Sequence, residues 1–292
     1  IYYAAGDRVY EWCKERGIPM RGHCIFWEKE MFVQEWLAEL SDSELRRKMA
    51  LHCNEVVSRF KDHIHEWDLN NEMVNGKYFR DRLGDEIVGD MCRWAQRADP
   101  EVKLFFNDYD IFVKNYNYDD YLEQIEGYLA NGYPFSGVGI QSHSWWVGTQ
   151  DEGYIMDVLD RFSETGLSIK ITEYVANYNA KSEQDRAEKL KEFYRICFAH
   201  PSVDAIVVWG FWEGAMWLDE YGFYDRNWEL TELGKAYREL VFDEWWTDFE
   251  GKADDDGICR VPAFFGKHKI EVDGQEREVY LKKSEGAVEV EI

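Results

Sequence analysis

The 292-residue chain has no CxxC pair, no Gly-rich loop after its first strand-like run, and no long apolar run. A membrane span needs roughly 18 consecutive apolar residues, so no membrane partner is expected. Positive charge is also scarce: 34 Lys and Arg stand against 58 Asp and Glu, a net charge of −24. Nucleic acid is excluded as a partner on that ground, because phosphate backbones are held by clustered cations. The cysteines at 13, 24, 53, 92, 197 and 259 fall mostly in apolar runs and read as free buried thiols, while spacing leaves a disulfide or two open. His63 and His65 form an HxH pair, but no carboxylate or thiol cluster joins them. Alternate faces of one strand explain that pair better than a metal, and neither metal nor cofactor is expected.

What is present is a folded chain, with 45% hydrophobic and 16% aromatic residues. Strand-like runs recur at 19–27, 63–70, 103–108, 137–142, 168–173 and 204–210. Amphipathic segments lie between them, such as 41–60, where Ser41 and Glu44 have the spacing of a capping box. Another, 182–200, aligns Leu190, Phe193, Tyr194 and Cys197 on one helical face, and a last helix is expected over 232–246. Strands alternating with helices imply an α/β fold with a parallel sheet covered on both faces. Polar or aromatic residues end nearly every strand, which favours a (β/α)8 TIM barrel over a doubly wound sheet. Such a barrel has eight strands, and the opening "YYAAGDRVYEWCKERG" reads as a helix that should follow a strand. The expectation is a barrel lacking its first two strands over 1–246, then a small β element over 247–292 marked by "DDDG" and "DG" turns. Self-association through the exposed sheet edges would follow.

The strand exits carry the chemistry. In order they give His23 and Trp27; Asn71 and Glu72; Asn107, Asp108 and Tyr109; Gln141 and His143; Glu173; then Trp209 with Trp217. Singly, each of these residues is ordinary at a strand end. Together they would converge on one cleft at the C-terminal rim of a barrel. Paired carboxylates beside aromatics suit glycoside hydrolysis, where one carboxyl protonates the leaving oxygen and the other attacks carbon or activates water.

The motifs "RGHCIFW", "NNE", "NDYD", "GIQSH", "ITE" and "VWGFWE", in that order, resemble family 10 glycoside hydrolases, the endo-β-1,4-xylanases, and most closely their plant-like branch. The resemblance implies a retaining endo-β-1,4-xylanase that acts on xylan or xylo-oligosaccharides through a covalent glycosyl-enzyme intermediate. It implies Glu72 as acid/base and Glu173 as nucleophile, roughly 5–5.5 Å apart. It gives Asn71 the sugar 2-hydroxyl, sets Gln141 and His143 beside the nucleophile, and puts His23 and Trp27 on the non-reducing side. Trp209 and Trp217 would wall the sugar, and Tyr109 would reach the leaving-group side. A polymeric substrate implies an extracellular location. Two residues depart from the family pattern: Val175 replaces the Asp expected to orient His143, and Glu30 stands where Gln is frequent. Two alternatives stay open: a retaining glycanase for another β-linked polysaccharide, or an inactive carbohydrate-binding relic.

Overall fold

The computed structural model describes residues 2–113, 116–143, 152–176, 180–216, 221–283 and 286–292. Helix α1 (Ala4–Glu15) leads into β1 (Met20–Gly22) and β2 (Phe26–Trp27). Then come α2 (Asp42–Phe60), β3 (Ile64–Asn71), α3 (Tyr78–Leu83), α4 (Ile87–Ala98), β4 (Lys103–Asp108) and α5 (Tyr116–Ala130). The remaining units are β5 (Gly137–Ile140), α6 (Glu152–Ser163), β6 (Ser168–Tyr174), α7 (Glu183–Ala199), β7 (Val203–Val208) and α8 (Glu232–Glu239). An antiparallel hairpin closes the described chain, β8 (Gly266–Val272) paired with β9 (Gln275–Leu281).

The first seven strands form one parallel sheet in the order β1-β3-β4-β5-β6-β7, with β2 also bonded to β3. Helices cover its outer face, so the sheet curls into a half-barrel of βα units. All of β5 and nearly all of β4 are buried, which is why "GVGI" and the "LFF" centre of β4 are apolar throughout, while the buried Asn107 and Asp108 end β4 at the rim. Helix α2 starts as its sequence requires: Ser41 caps the Glu44 amide, and the Glu44 carboxylate accepts from the Ser41 amide. Such a cap is worth about 1 kcal/mol. Its buried face, Leu45, Met49, Cys53, Val56, Val57 and Phe60, follows the helical period. The C-terminal helix is α-helical only to Glu239 and continues as a π-helical turn over Leu240–Glu244.

One strand differs from expectation. The 19–27 run is two short strands, because the chain leaves the ladder after Gly22 and rejoins at Phe26. Between them the Ile25 amide still bonds the Asp68 carbonyl at 2.9 Å, while the His23 ring turns inward to the Asp68 carboxylate. The two ends of the arc meet at this rim: His23, after β1, lies edge-on to Trp209, after β7, with ring centroids 5.3 Å apart.

The concave side is charged. The Asp68 carboxylate accepts both terminal nitrogens of Arg21, and Lys170 of β6 pairs with Glu66 of β3. The Phe105 ring lies between these cations, 5.0 Å from the Arg21 guanidinium and 5.1 Å from the Lys170 ammonium. Charges drawn out of water are costly unless paired and hydrogen-bonded, and the buried Asp68 and its half-buried neighbours Arg21, Glu66 and Lys170 each have a partner on another strand.

Candidate active site

The C-terminal ends of β3, β4, β5 and β6 build the site, and register decides which side chains meet. Asn71 lies beside Asn107 across β3 and β4, and Asn107 lies beside Gly139 across β4 and β5. A Cβ at Gly139 would stand 2.5 Å from the Asn107 side-chain oxygen, so the missing side chain makes room for that amide. The Asn107 oxygen accepts from the Thr172 hydroxyl, which commits its NH2 to face the cleft. That NH2 donates to Asn71 Oδ1 at 2.8 Å and to Glu173 Oε1 at 2.8 Å.

Glu173 is thus held on both oxygens. His143 Nε2 lies 2.8 Å from Oε2, and His23 Nδ1 is 4.0 Å from Oε1. The His23 ring bonds Asp68 at 2.9 Å. Burial opposes its positive charge, but the Asp68 hydrogen bond and the Asp68 and Glu173 carboxylates prevail and raise its pKa above the ordinary value. Val175, in the place of an acidic residue, forms an isolated parallel bridge with His143 and is itself buried. His143 keeps its aim at Glu173 and packs edge-on to Trp209, ring centroids 6.0 Å apart.

Glu72 sits in different company. Its backbone has φ +57, in the left-handed region that few non-glycine residues adopt. Its amide bonds the Asn107 carbonyl at 2.8 Å and its carbonyl accepts from the Gly76 amide at 2.9 Å, so a tight turn redirects the chain as the strand ends. One carboxylate oxygen receives Gln141 Nε2 at 3.4 Å, and the other lies 3.3 Å from Lys29 Nζ. Gln141 also donates to Asn71 at 3.2 Å. The two carboxylates are therefore joined through the amides of Gln141, Asn71 and Asn107. Lys29 bonds the Tyr109 hydroxyl at 3.3 Å and lies over the Tyr109 ring.

The aromatic positions are mostly accounted for. Trp27 stacks on Phe32 with centroids 3.9 Å apart, and Trp209 is partly exposed at the rim. Trp217 lies outside the described residues. His23, Asn71, Tyr109, Gln141 and His143 are all within the network, whereas Lys29 and the bridging role of Asn107 escaped sequence reasoning. A strand-exit asparagine was visible at 107, but no pattern marked Lys29. Among the described residues no group of three or more His, Cys, Asp or Glu could hold a metal ion.

Below the network Asp108 is fully buried and accepts from the Val74 amide at 2.8 Å and the Tyr109 amide at 2.9 Å. Burial, against those two hydrogen bonds, pushes its pKa from 3.8 up to about 7. Between those two values the folded chain holds a proton that the unfolded chain has released, so stability falls as pH rises through this window. Asp108→Asn cannot ionise and should lack that decline. It turns an NH2 toward one of the two amides, which costs about 1–3 kcal/mol at pH 4. Thermal melts from pH 4 to 8 should therefore show the variant gaining on the wild type as pH rises. Parallel curves would disprove the linkage.

A parallel half-barrel with paired carboxylates, amide donors and indoles at its C-terminal rim is the architecture of the glycoside hydrolase class. The chain belongs to glycosyl hydrolase family 10, whose sequence profile matches residues 1–242. It is 36% identical over 273 residues to the anti-sigma-I factor RsgI6 of Acetivibrio thermocellus, covering 93% of this chain and 35% of that protein. Endo-1,4-beta-xylanase 2 of Arabidopsis thaliana is 31% identical over 274 residues, covering 92% of this chain and 25% of the relative. The chain thus spans a quarter to about a third of these two relatives. Among solved structures, native xylanase 10B from Thermotoga maritima superposes with a TM-score of 0.75 at 25% identity, covering 83% of this chain and 80% of that one.

Proposed function

We propose that this chain hydrolyses internal β-1,4 linkages of xylan with retention of configuration. The observation that carries the reading is the amide bridge that fixes Glu173 between Asn107 and His143 and ties it to Glu72 through Asn71 and Gln141. Xylan as the polymer is supported by relatives named endo-1,4-beta-xylanase at 30–31% identity.

In this mechanism Glu173 attacks the anomeric carbon while Glu72 donates its proton to the glycosidic oxygen, and the leaving sugar departs with that proton. Glu72 then takes a proton from water. The water oxygen attacks the same carbon, Glu173 leaves, and the two inversions restore the starting configuration. Asn71 binds the 2-hydroxyl, a contact that strengthens toward the transition state. His23 and Trp27 serve the non-reducing side, Trp209 walls the sugar, and Tyr109 with Lys29 faces the leaving group. A polymer of this size is met outside the cell, where we place the domain.

The likeness to RsgI6, an anti-sigma factor by name, favours a second reading in which the cleft binds a glycan without cleaving it. Parallel incubation with xylotetraose, mannotetraose and cellotetraose, with calorimetric titration of each, separates the readings. Xylotetraose should be cleaved at least about tenfold faster than the others, because one added carbon substituent against a walled pocket is worth about 1–3 kcal/mol. Xylotetraose bound but left intact would establish the binding module instead.

A further inference from the structure

Beneath Glu72 lies a buried ion pair to which the hydrolytic mechanism assigns no part. Glu28, directly after Trp27, is wholly buried. Its carboxylate accepts from Asn70 Nδ2 at 2.9 Å, from Arg80 Nε at 2.9 Å and from the Arg80 amide at 3.3 Å. The other end of the Arg80 guanidinium donates to the carbonyls of Met73 and Gly76, the two ends of the turn that follows Glu72. The same turn is held from the opposite side by Asp108, through the Val74 amide. There is no slack: a Cβ at Gly76 would lie 2.8–2.9 Å from the Lys29 nitrogen, the Glu28 carbonyl carbon and the Glu72 oxygen. Glu28 in turn anchors this unit to the segment bearing Trp27 and Lys29, and its carbonyl accepts from the Tyr78 amide at 3.0 Å.

A buried ion pair is a weak source of stability, since desolvation offsets much of the attraction. What this one supplies is geometry. A planar, five-donor guanidinium ties two carbonyls and a carboxylate together in fixed directions, which no apolar filler of equal volume would do. The residue so fixed is Glu72, whose left-handed backbone persists only where its surroundings determine it.

We infer that Arg80, locked by Glu28, is a positioning residue that aims the Glu72 carboxyl at the glycosidic oxygen; this rests on the hydrolytic reading above. A misplacement of about 1 Å can cost on the order of 100-fold in rate. A proton donor matters only for a leaving group that needs the proton. The test is kcat/KM of Arg80→Met on xylotetraose and on 2,4-dinitrophenyl xylobioside, whose phenolate departs unassisted. The expected loss is about 100-fold on the first substrate and less than about threefold on the second. Arg80→Met leaves Glu28 buried and unpaired and could unfold, so Glu28→Met with Arg80→Met removes both charges and should show the same substrate-dependent loss with its melting temperature retained. Arg80→Lys keeps the charge but not the fork and should recover only part of the xylotetraose rate. Equal losses on the two substrates, or none on xylotetraose, would overturn the inference. A wild-type chain that cleaves neither substrate would instead remove the hydrolytic reading, and the inference with it.

Discussion

Glu173→Ala should lower xylotetraose hydrolysis by on the order of 10⁴-fold or more, the scale seen when a nucleophile that works within a unit is deleted. The side chain is aimed by bonds on both oxygens, from Asn107 and from His143, and little freedom is left for any other carboxylate to replace it. Lys29, Gln141 and the Asn107 backbone hold Glu72 independently, so the acid/base should survive the substitution in place. Sugar binding should change much less than rate, because Asn71, Trp209 and Trp27 remain. Added azide offers a further readout. A small anion in the space left by Glu173 attacks from that same face, and a single displacement should yield the glycosyl azide of inverted configuration. An alanine variant within tenfold of the wild-type rate would refute the nucleophile assignment. A wild type found to invert would refute retention.

The strands were legible because their chemistry is repetitive. The apolar run "GVGI" marks a strand covered on both faces and lies where the sequence placed it, whereas "AIVVW" carries the same signal on β7, an end strand of the described sheet that is only half buried, with Val207 exposed. The site was legible to the extent that its residues stand at strand ends. Asn107 shows the limit. Its position at an exit was plain, but its part as the bridge between Asn71 and Glu173 depends on the β3–β4–β5 register and on the space left by Gly139. No local pattern encodes a register between segments tens of residues apart. The break between β1 and β2 was hidden for the same reason: 19–27 reads as one strand-like run, while the departure at His23 accompanies its bond to Asp68 on β3. Arg80 carries no local mark in the sequence, and only the fold turns it inward to Glu28. Val175 carries the opposite lesson. A departure from the family pattern suggested a disoriented His143, but two other contacts, Glu173 and the Trp209 ring, fix that imidazole.

Glu72→Ala is the second large effect, and its size should depend on the substrate. On xylotetraose the leaving group is a sugar alkoxide, which departs poorly without a proton, so kcat/KM should fall by about 10²–10⁴-fold, the usual range for general acid catalysis. On 2,4-dinitrophenyl xylobioside the attack by Glu173 needs no proton, and kcat/KM should fall far less. The second half-reaction still lacks its base, so the glycosyl-enzyme should accumulate and kcat on the aryl substrate should drop together with KM. A burst of dinitrophenolate equal to the enzyme concentration would report that intermediate. Azide, which requires no deprotonation, should then restore kcat, and here the product should be the glycosyl azide of retained configuration because two displacements have occurred. The stereochemical contrast with Glu173→Ala is the sharpest discriminator available. Opposite azide anomers from the two alanine variants assign the two carboxylates without reference to any relative. The same anomer from both would mean that Glu72 and Glu173 do not divide the work as nucleophile and acid/base.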